Sequence, residues 1–211
     1  MHKVQTVFFA GPVGQLEGLL KLTEGQEPRG LVVVCHPHPL YHGTMHNKVT
    51  FAVSDAYFKL GCIVLRFNFR GAGQSAGIHD HGRGEVDDLM AAIGYLRERF
   101  PGLDCHVAGF SFGSWIALEA AKRDSTLISV CAVAPPFKYF DPAFLGHLTI
   151  PKFFLQGKAD SICLGEELQN LFPSFAEPKE VVWFEGADHF FAHRLEDLKK
   201  AIASRQHFLR L

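Results

Sequence analysis

Short apolar runs alternate along this chain with longer stretches in which apolar residues return every three or four positions. The runs that read as strands are Val4 to Phe9, Leu16 to Leu22, Leu31 to Cys35, Cys62 to Phe67, Cys105 to Gly109, Ser129 to Ala134, Lys152 to Gln156 and Val181 to Phe184. Several are continuous, as in Leu31-Val32-Val33-Val34-Cys35, the mark of strands covered on both faces. Between them, Val49, Ala52, Val53, Ala56, Tyr57 and Leu60 fall on one helical stripe, as do Val86, Leu89, Met90, Ile93 and Leu96. A third helix follows Ser111, and the spacing of Phe191, Leu195, Leu198 and Ile202 predicts a last one. Strands alternating with helices require crossover connections, hence a mostly parallel sheet with helices on both faces. The first two runs have no helix between them and are expected to pair as an antiparallel edge hairpin turned near Gly11, Pro12 and Gly14. The expected fold class is α/β, with about eight strands in one domain over residues 1–211, since no repeat or linker breaks the pattern.

At 211 residues the chain is long enough to bury one sizeable core. Its 21 Lys and Arg against 22 Asp and Glu leave a formal net charge of -1, and the basic residues are scattered. Nothing gathers a stripe for phosphate backbones or anionic lipid, so neither nucleic acid nor membrane is an expected partner. No apolar run approaches the roughly 20 residues of a membrane span. Met1 to Ala10 also lacks the features of a secretory signal, so a cytoplasmic location is expected. The five cysteines are odd in number and widely spaced. Cys35, Cys62, Cys105 and Cys131 lie in or beside strand runs, where a reduced thiol packs as a small hydrophobe, whereas Cys163 has no such setting.

Against this background one pentapeptide carries chemistry. Residues 109 to 113 read Gly-Phe-Ser-Phe-Gly, between a strand-like run and a helix-like one. A serine hydroxyl becomes a useful nucleophile when a sharp strand-to-helix turn holds it exposed, near a base and N–H donors. The bland alternative is an ordinary turn entering a helix. Open parallel sheets place ligands beyond the carboxyl ends of their strands, so partners should follow other strands. Asp160 follows the run ending at Gln156, and His189 follows the one ending at Phe184. The chain order Ser111, Asp160, His189 is that of nucleophile, acid and base in an α/β-hydrolase. Taken singly, Asp160 also suits the N-cap of a helix holding Glu166, Glu167 and Leu168, and His189 also suits a surface position. Asp188 competes for the acid role but adjoins His189 in sequence. The oxyanion donors expected are the backbone N–H groups of Phe112 and His38. In His36-Pro37-His38-Pro39, the prolines have no N–H, which leaves His38 the donor between two rigid rings. The imidazoles of His36 and His38 can equally be structural.

These residues resemble the α/β-hydrolases, and among them a small bacterial group related to dienelactone hydrolases. The resemblance runs through Gly14-Gln15-Leu16-Glu17-Gly18, His36-Pro37-His38-Pro39, Gly43-Thr44-Met45, Asn47-Lys48-Val49, Arg66 to Gly71, Gly109 to Gly113 and Asp188 to Phe191. It implies an esterase-type triad of Ser111, Asp160 and His189 with no metal or organic cofactor. The chain departs from the group at Tyr41, His42 and His46, on the rim of the oxyanion loop. Arg70 to Ser75 reads as scaffold. About 17 residues separate Ala134 from Lys152, too few for a substantial cap. An open cleft edged by aromatics such as Phe110, Phe112, Phe137, Tyr139 and Phe190 is therefore expected, suited to short acyl esters. The predicted activity is carboxylic ester hydrolysis on a small-molecule substrate, with thioester or peptide cleavage as alternatives on the same triad. Two rivals differ in kind: a metal-dependent hydrolase using His36, His38, His42, His46 or the Asp80-His81 pair, and a non-catalytic binding protein.

Overall fold

Consecutive residues of the buried strand Leu31–Cys35 feed two different cores. Leu31, Val33 and Cys35 face one side of the sheet, Val32 and Val34 the other. The computed structural model describes every residue but Met1, Glu24 and Leu209. Among the described residues the strands are β1 (His2–Gly11), β2 (Gly14–Thr23), β3 (Leu31–Cys35), β4 (Ile63–Phe67), β5 (Cys105–Phe110), β6 (Ser129–Val133), β7 (Lys152–Gly157) and β8 (Lys179–Phe184). They form one sheet in the order β1-β2-β4-β3-β5-β6-β7-β8. β1 and β2 pair antiparallel with Gly11 opposite Gly14, and β2 pairs antiparallel with β4. All pairings from β4 through β8 are parallel. The α/β-hydrolase architecture expected from the sequence is the one observed, with strand boundaries moved by up to two residues at most ends.

The helices are α1 (Lys48–Lys59), α2 (Arg83–Arg99), α3 (Phe112–Arg123), α4 (Gly165–Leu171) and α5 (Leu195–Ala203). α2 and α3 cover one face with Val86, Leu89, Ile93, Leu96, Ile116 and Ala117. α1 and α5 cover the other with Val49, Val53, Tyr57, Leu198 and Ile202. The predicted stripes therefore point inward, with one correction. Phe191 precedes α5 at φ 50°, although its ring is fully buried in the same core. The turn Asp188–Phe191, which delivers His189, keeps that residue out of the helix; the Phe191 N–H donates to Asp188 O.

Scaffolding behind the β4 end is polar and satisfied. Asp88, fully buried, accepts from Arg70 Nη2 (2.7 Å) and Arg70 N (2.9 Å), and Glu17 accepts from Asn68 Nδ2 and Gln74 N, both at 2.8 Å. The segment between β6 and β7 holds only two short 3-10 turns, Phe137–Tyr139 and Pro142–Gly146, and no cap. No helix among the described residues is long and apolar enough to cross a membrane.

Candidate active site

β3, β5, β7 and β8 end on the same edge of the sheet, and the loops that follow them converge there. Ser111 occupies the single position between β5 and α3, at φ 53° and ψ -123°. That conformation costs a residue with a Cβ about 1–3 kcal/mol and persists only when its surroundings impose it. Here the Ser111 N–H donates to Val133 O (2.8 Å), and Ser111 O accepts from Ser114 N (2.8 Å) and Ser114 Oγ (2.6 Å). The flanking glycines are steric requirements. A Cβ on Gly109 would stand 2.1 Å from Gly113 O, and one on Gly113 would stand 2.5 Å from His36 O. Strand, helix and the oxyanion loop thus meet backbone to backbone around the hydroxyl.

The structure brings the other two predicted side chains to that hydroxyl. Ser111 Oγ lies 3.1 Å from His189 Nε2, and His189 Nδ1 lies 2.8 Å from Asp160 Oδ2. Asp160 is not a helix N-cap, since α4 begins only at Gly165. Its Oδ1 instead accepts from Ile162 N and Cys163 N, both at 2.8 Å, which turns Oδ2 toward the imidazole. A carboxylate only accepts, so Nδ1 carries the proton and Nε2 is left as the acceptor for the Ser111 O–H. Asp160 and His189 are both buried. Asp188 Oδ1 accepts from Ala192 N and leaves the ring to Asp160.

The oxyanion loop follows β3. His36 is fully buried; its Nδ1 donates to Pro37 O (2.6 Å) and its Nε2 accepts from Phe69 N (3.0 Å). Burial lowers its pKa to about 4, so this imidazole is a neutral strut. His38 packs its ring against Phe112 (4.9 Å) and His79 (4.6 Å), and its Nδ1 accepts from Leu40 N. Desolvation, then the neighbouring His79, lowers its pKa. Among the described residues, the backbone N–H groups of His38 and Phe112 have no hydrogen-bond acceptor. For Phe112 the cause is its place at the start of α3.

Above the triad opens a cleft of about 320 Å³, whose walls include Tyr41, His79, His81, Trp115, Tyr139 and Ile162. Tyr139 and Phe190 are exposed, and Phe112 lines the cleft. Phe110 and Phe137 are corrections: they are buried in the core, because β5 and the first 3-10 turn point them into the sheet layers. Sequence reasoning missed Trp115, His79 and Cys163 as wall residues. Trp115 was signalled only by lying one helical turn after Ser111. Cys163 lies three residues after Asp160 with its thiol beside the Ser111 hydroxyl, and burial pushes that thiol up to about 12. All five cysteines are free and buried. The histidines of the oxyanion loop do not converge on a shared metal position; among the described residues the group close enough to do so is Asp160, Cys163 and His189.

The chain as a whole is similar to known proteins. Residues 26–148 match the family model described as Hydrolase_4, serine aminopeptidase, S33. An uncharacterized protein of Rickettsia prowazekii (strain Madrid E) is 38% identical over 206 residues, covering 93% of this chain and 86% of that protein. A solved α/β serine hydrolase homologue from Coxiella burnetii superposes with a TM-score of 0.91 at 36% identity, covering 95% of this chain and 96% of that one. A solved α/β serine hydrolase without lid from Xanthomonas campestris gives 0.90 at 33% identity, over 99% and 94%. With the sheet, the helices and the capless β6–β7 connection, these matches establish that the chain belongs to the α/β-hydrolase superfamily, in the serine hydrolase family described as Hydrolase_4.

Proposed function

We propose that this protein hydrolyses carboxylic esters, short-chain ones foremost, through an acyl-enzyme formed on Ser111. The observation that carries the proposal is the continuous relay Ser111 Oγ to His189 Nε2 (3.1 Å) and His189 Nδ1 to Asp160 Oδ2 (2.8 Å) on the floor of an open cleft. As Oγ attacks the ester carbonyl, His189 takes its proton, and Asp160 holds the ring's tautomer and steadies its positive charge. The imidazolium then protonates the departing alkoxide. Water, deprotonated by His189, attacks the acyl-enzyme in turn and frees the acid and the serine. The N–H groups of Phe112 and His38 meet the charge that develops on the carbonyl oxygen, each donor being worth about 3 kcal/mol in such sites. No step calls on a metal or organic cofactor.

The family's description raises peptide cleavage as a second reading. An aminopeptidase must hold its substrate's terminal ammonium, which calls for a carboxylate. None of the described residues lining the cleft is acidic. The imidazole, phenol and indole walls, and a volume of about 320 Å³ without a cap, favour a small uncharged or acidic ester instead. The test is hydrolysis of p-nitrophenyl esters from acetyl to palmitoyl by the native protein and Ser111→Ala, with fluorophosphonate labelling of both. The expected result is activity that falls with chain length and is abolished, with the labelling, by the substitution. Activity that survives in Ser111→Ala overturns the mechanism, and a preference for palmitoyl overturns the substrate class.

A further inference from the structure

The cleft carries a second pairing of carboxylate and imidazole, one that the chemistry of Ser111 does not use. Glu85, fully buried on α2, accepts from Asp80 N and Gly82 N, both at 2.8 Å, so the loop from His79 to Gly82 is folded over a single carboxylate. His79 Nδ1 lies 2.9 Å from Glu85 Oε1 in a bent ion-pair contact, and its side chain is only 5% exposed. The next histidine in the loop, His81, sits at φ 51°, a conformation that a residue with a Cβ holds only under constraint. The rings of His38 and His81 stand 4.6 and 5.1 Å from that of His79, and all three line the cleft with Ser111. This wall is built, not incidental.

The hydrogen bonds set the tautomers of two of these rings. A carboxylate oxygen offers only lone pairs, so the proton of the His79 ring belongs on Nδ1, and Nε2, across the ring, is left as an acceptor. His38 is the reverse: its Nδ1 accepts from Leu40 N (3.2 Å), which puts the proton on Nε2. Neither Nε2 has a hydrogen-bond partner among the described residues. One acceptor beside one donor suits a hydroxyl, which donates and accepts at once. A carboxylate would meet the lone pair of His79, and a methyl group would leave both nitrogens unmatched.

We propose that His79 determines specificity by accepting a hydrogen bond from a hydroxyl on the substrate, with His38 Nε2–H as the neighbouring donor, so that the preferred substrates are short hydroxylated esters. Glu85 is a positioning residue, acting through the His79 ring. The proposal rests on the reading of Ser111 as the nucleophile of an esterase. The hydroxyl can belong to the acyl part or to the alcohol part of the ester.

The test compares kcat/KM within two pairs matched in size. p-Nitrophenyl 3-hydroxybutyrate against p-nitrophenyl 3-methylbutyrate sets the hydroxyl on the acyl part, and 2-hydroxyethyl acetate against propyl acetate sets it on the alcohol. The native protein should favour the hydroxylated member of one pair about tenfold, mainly through KM, and His79→Phe should bring that ratio to within about twofold of one. The ratio cancels any effect of the substitution on turnover in general. A native ratio near one in both pairs, or an unchanged ratio in His79→Phe, overturns the assignment. Should His79→Phe not fold, His79→Leu is judged by the same criterion. A still stronger preference for p-nitrophenyl hemisuccinate, lost in His79→Phe, overturns the hydroxyl in favour of a carboxylate. In a second arm the same esters are titrated into Ser111→Ala and binding is followed by Trp115 fluorescence, with His79→Phe added to that background. If the native protein hydrolyses neither pair, the hydrolase reading falls while binding still decides the site: hydroxylated esters that bind no better than their matches overturn it.

Discussion

Replacing Asp160 by Asn tests the triad more sharply than removing the serine, because the hydrogen bonds decide how the amide must sit. Oδ1 accepts two backbone N–H bonds of 2.8 Å from Ile162 and Cys163, whereas Oδ2 accepts His189 Nδ1–H at 2.8 Å and Gln156 Nε2 at 3.4 Å. The amide oxygen of Asp160→Asn must stay with the two N–H groups, since reversing it would set a donor against both. Its NH₂ then faces His189 Nδ1, which has to become an acceptor. The ring shifts its proton to Nε2, so Ser111 Oγ faces N–H instead of a lone pair and loses its base. A lost charge-assisted hydrogen bond accounts for about 1.5–3 kcal/mol. Adding the wrong tautomer brings the expected cost in kcat to about 5 kcal/mol, or ~10⁴-fold. Folding should scarcely change, because both backbone bonds survive. Asp160→Ala behaves differently, stranding the buried Cys163 N–H at roughly 1–3 kcal/mol and freeing the half-buried Ile162 N–H as well. Steady-state hydrolysis of p-nitrophenyl acetate, paired with urea unfolding, measures both. An Asp160→Asn protein within tenfold of native kcat would refute the tautomer argument.

Burial first of all brings His36 and His106 to about 4 from an ordinary 6.5, so both are neutral when folded and the unfolded chain binds protons more readily; their contribution is complete above pH 6.5 and is lost as pH falls toward 4. At 1.36 kcal/mol per pH unit the loss is roughly 2 kcal/mol for each histidine by pH 5, seen as a falling urea midpoint, and a His106→Gln variant with an undiminished slope contradicts it. Gly113→Ala places a methyl 2.5 Å from His36 O and 2.6 Å from Cys35 O, backbone atoms that cannot yield cheaply, so a loss of about 1–3 kcal/mol in unfolding free energy is expected, with slower labelling of Ser111; native stability in that variant would contradict the close packing.

Much of the molecule was legible in its linear pattern. The continuous apolar runs marked strands covered twice, and the three- and four-residue spacings marked the helices that cover them, because burial on a sheet or helix face imposes those periods. The glycine pair around Ser111 was legible for a similarly local reason: backbone crowding at a strand-to-helix turn excludes a Cβ whatever the rest of the fold does. Asp160 and His189 were legible only as a joint pattern, each being ambiguous alone. What tertiary structure decided was everything set by the meeting of distant loops. Only packing of β5, β6, β7 and β8 side by side brings residues 111, 160 and 189 into one chain of hydrogen bonds. The layers packed on either face of the sheet take Phe110 and Phe137 into the core, and the convergence of the loops makes walls of Trp115 and His79 and sets the Cys163 thiol beside the nucleophile. Periodicity reports which face of its own element a residue occupies; which other element that face meets depends on through-space distances that sequence separation does not encode.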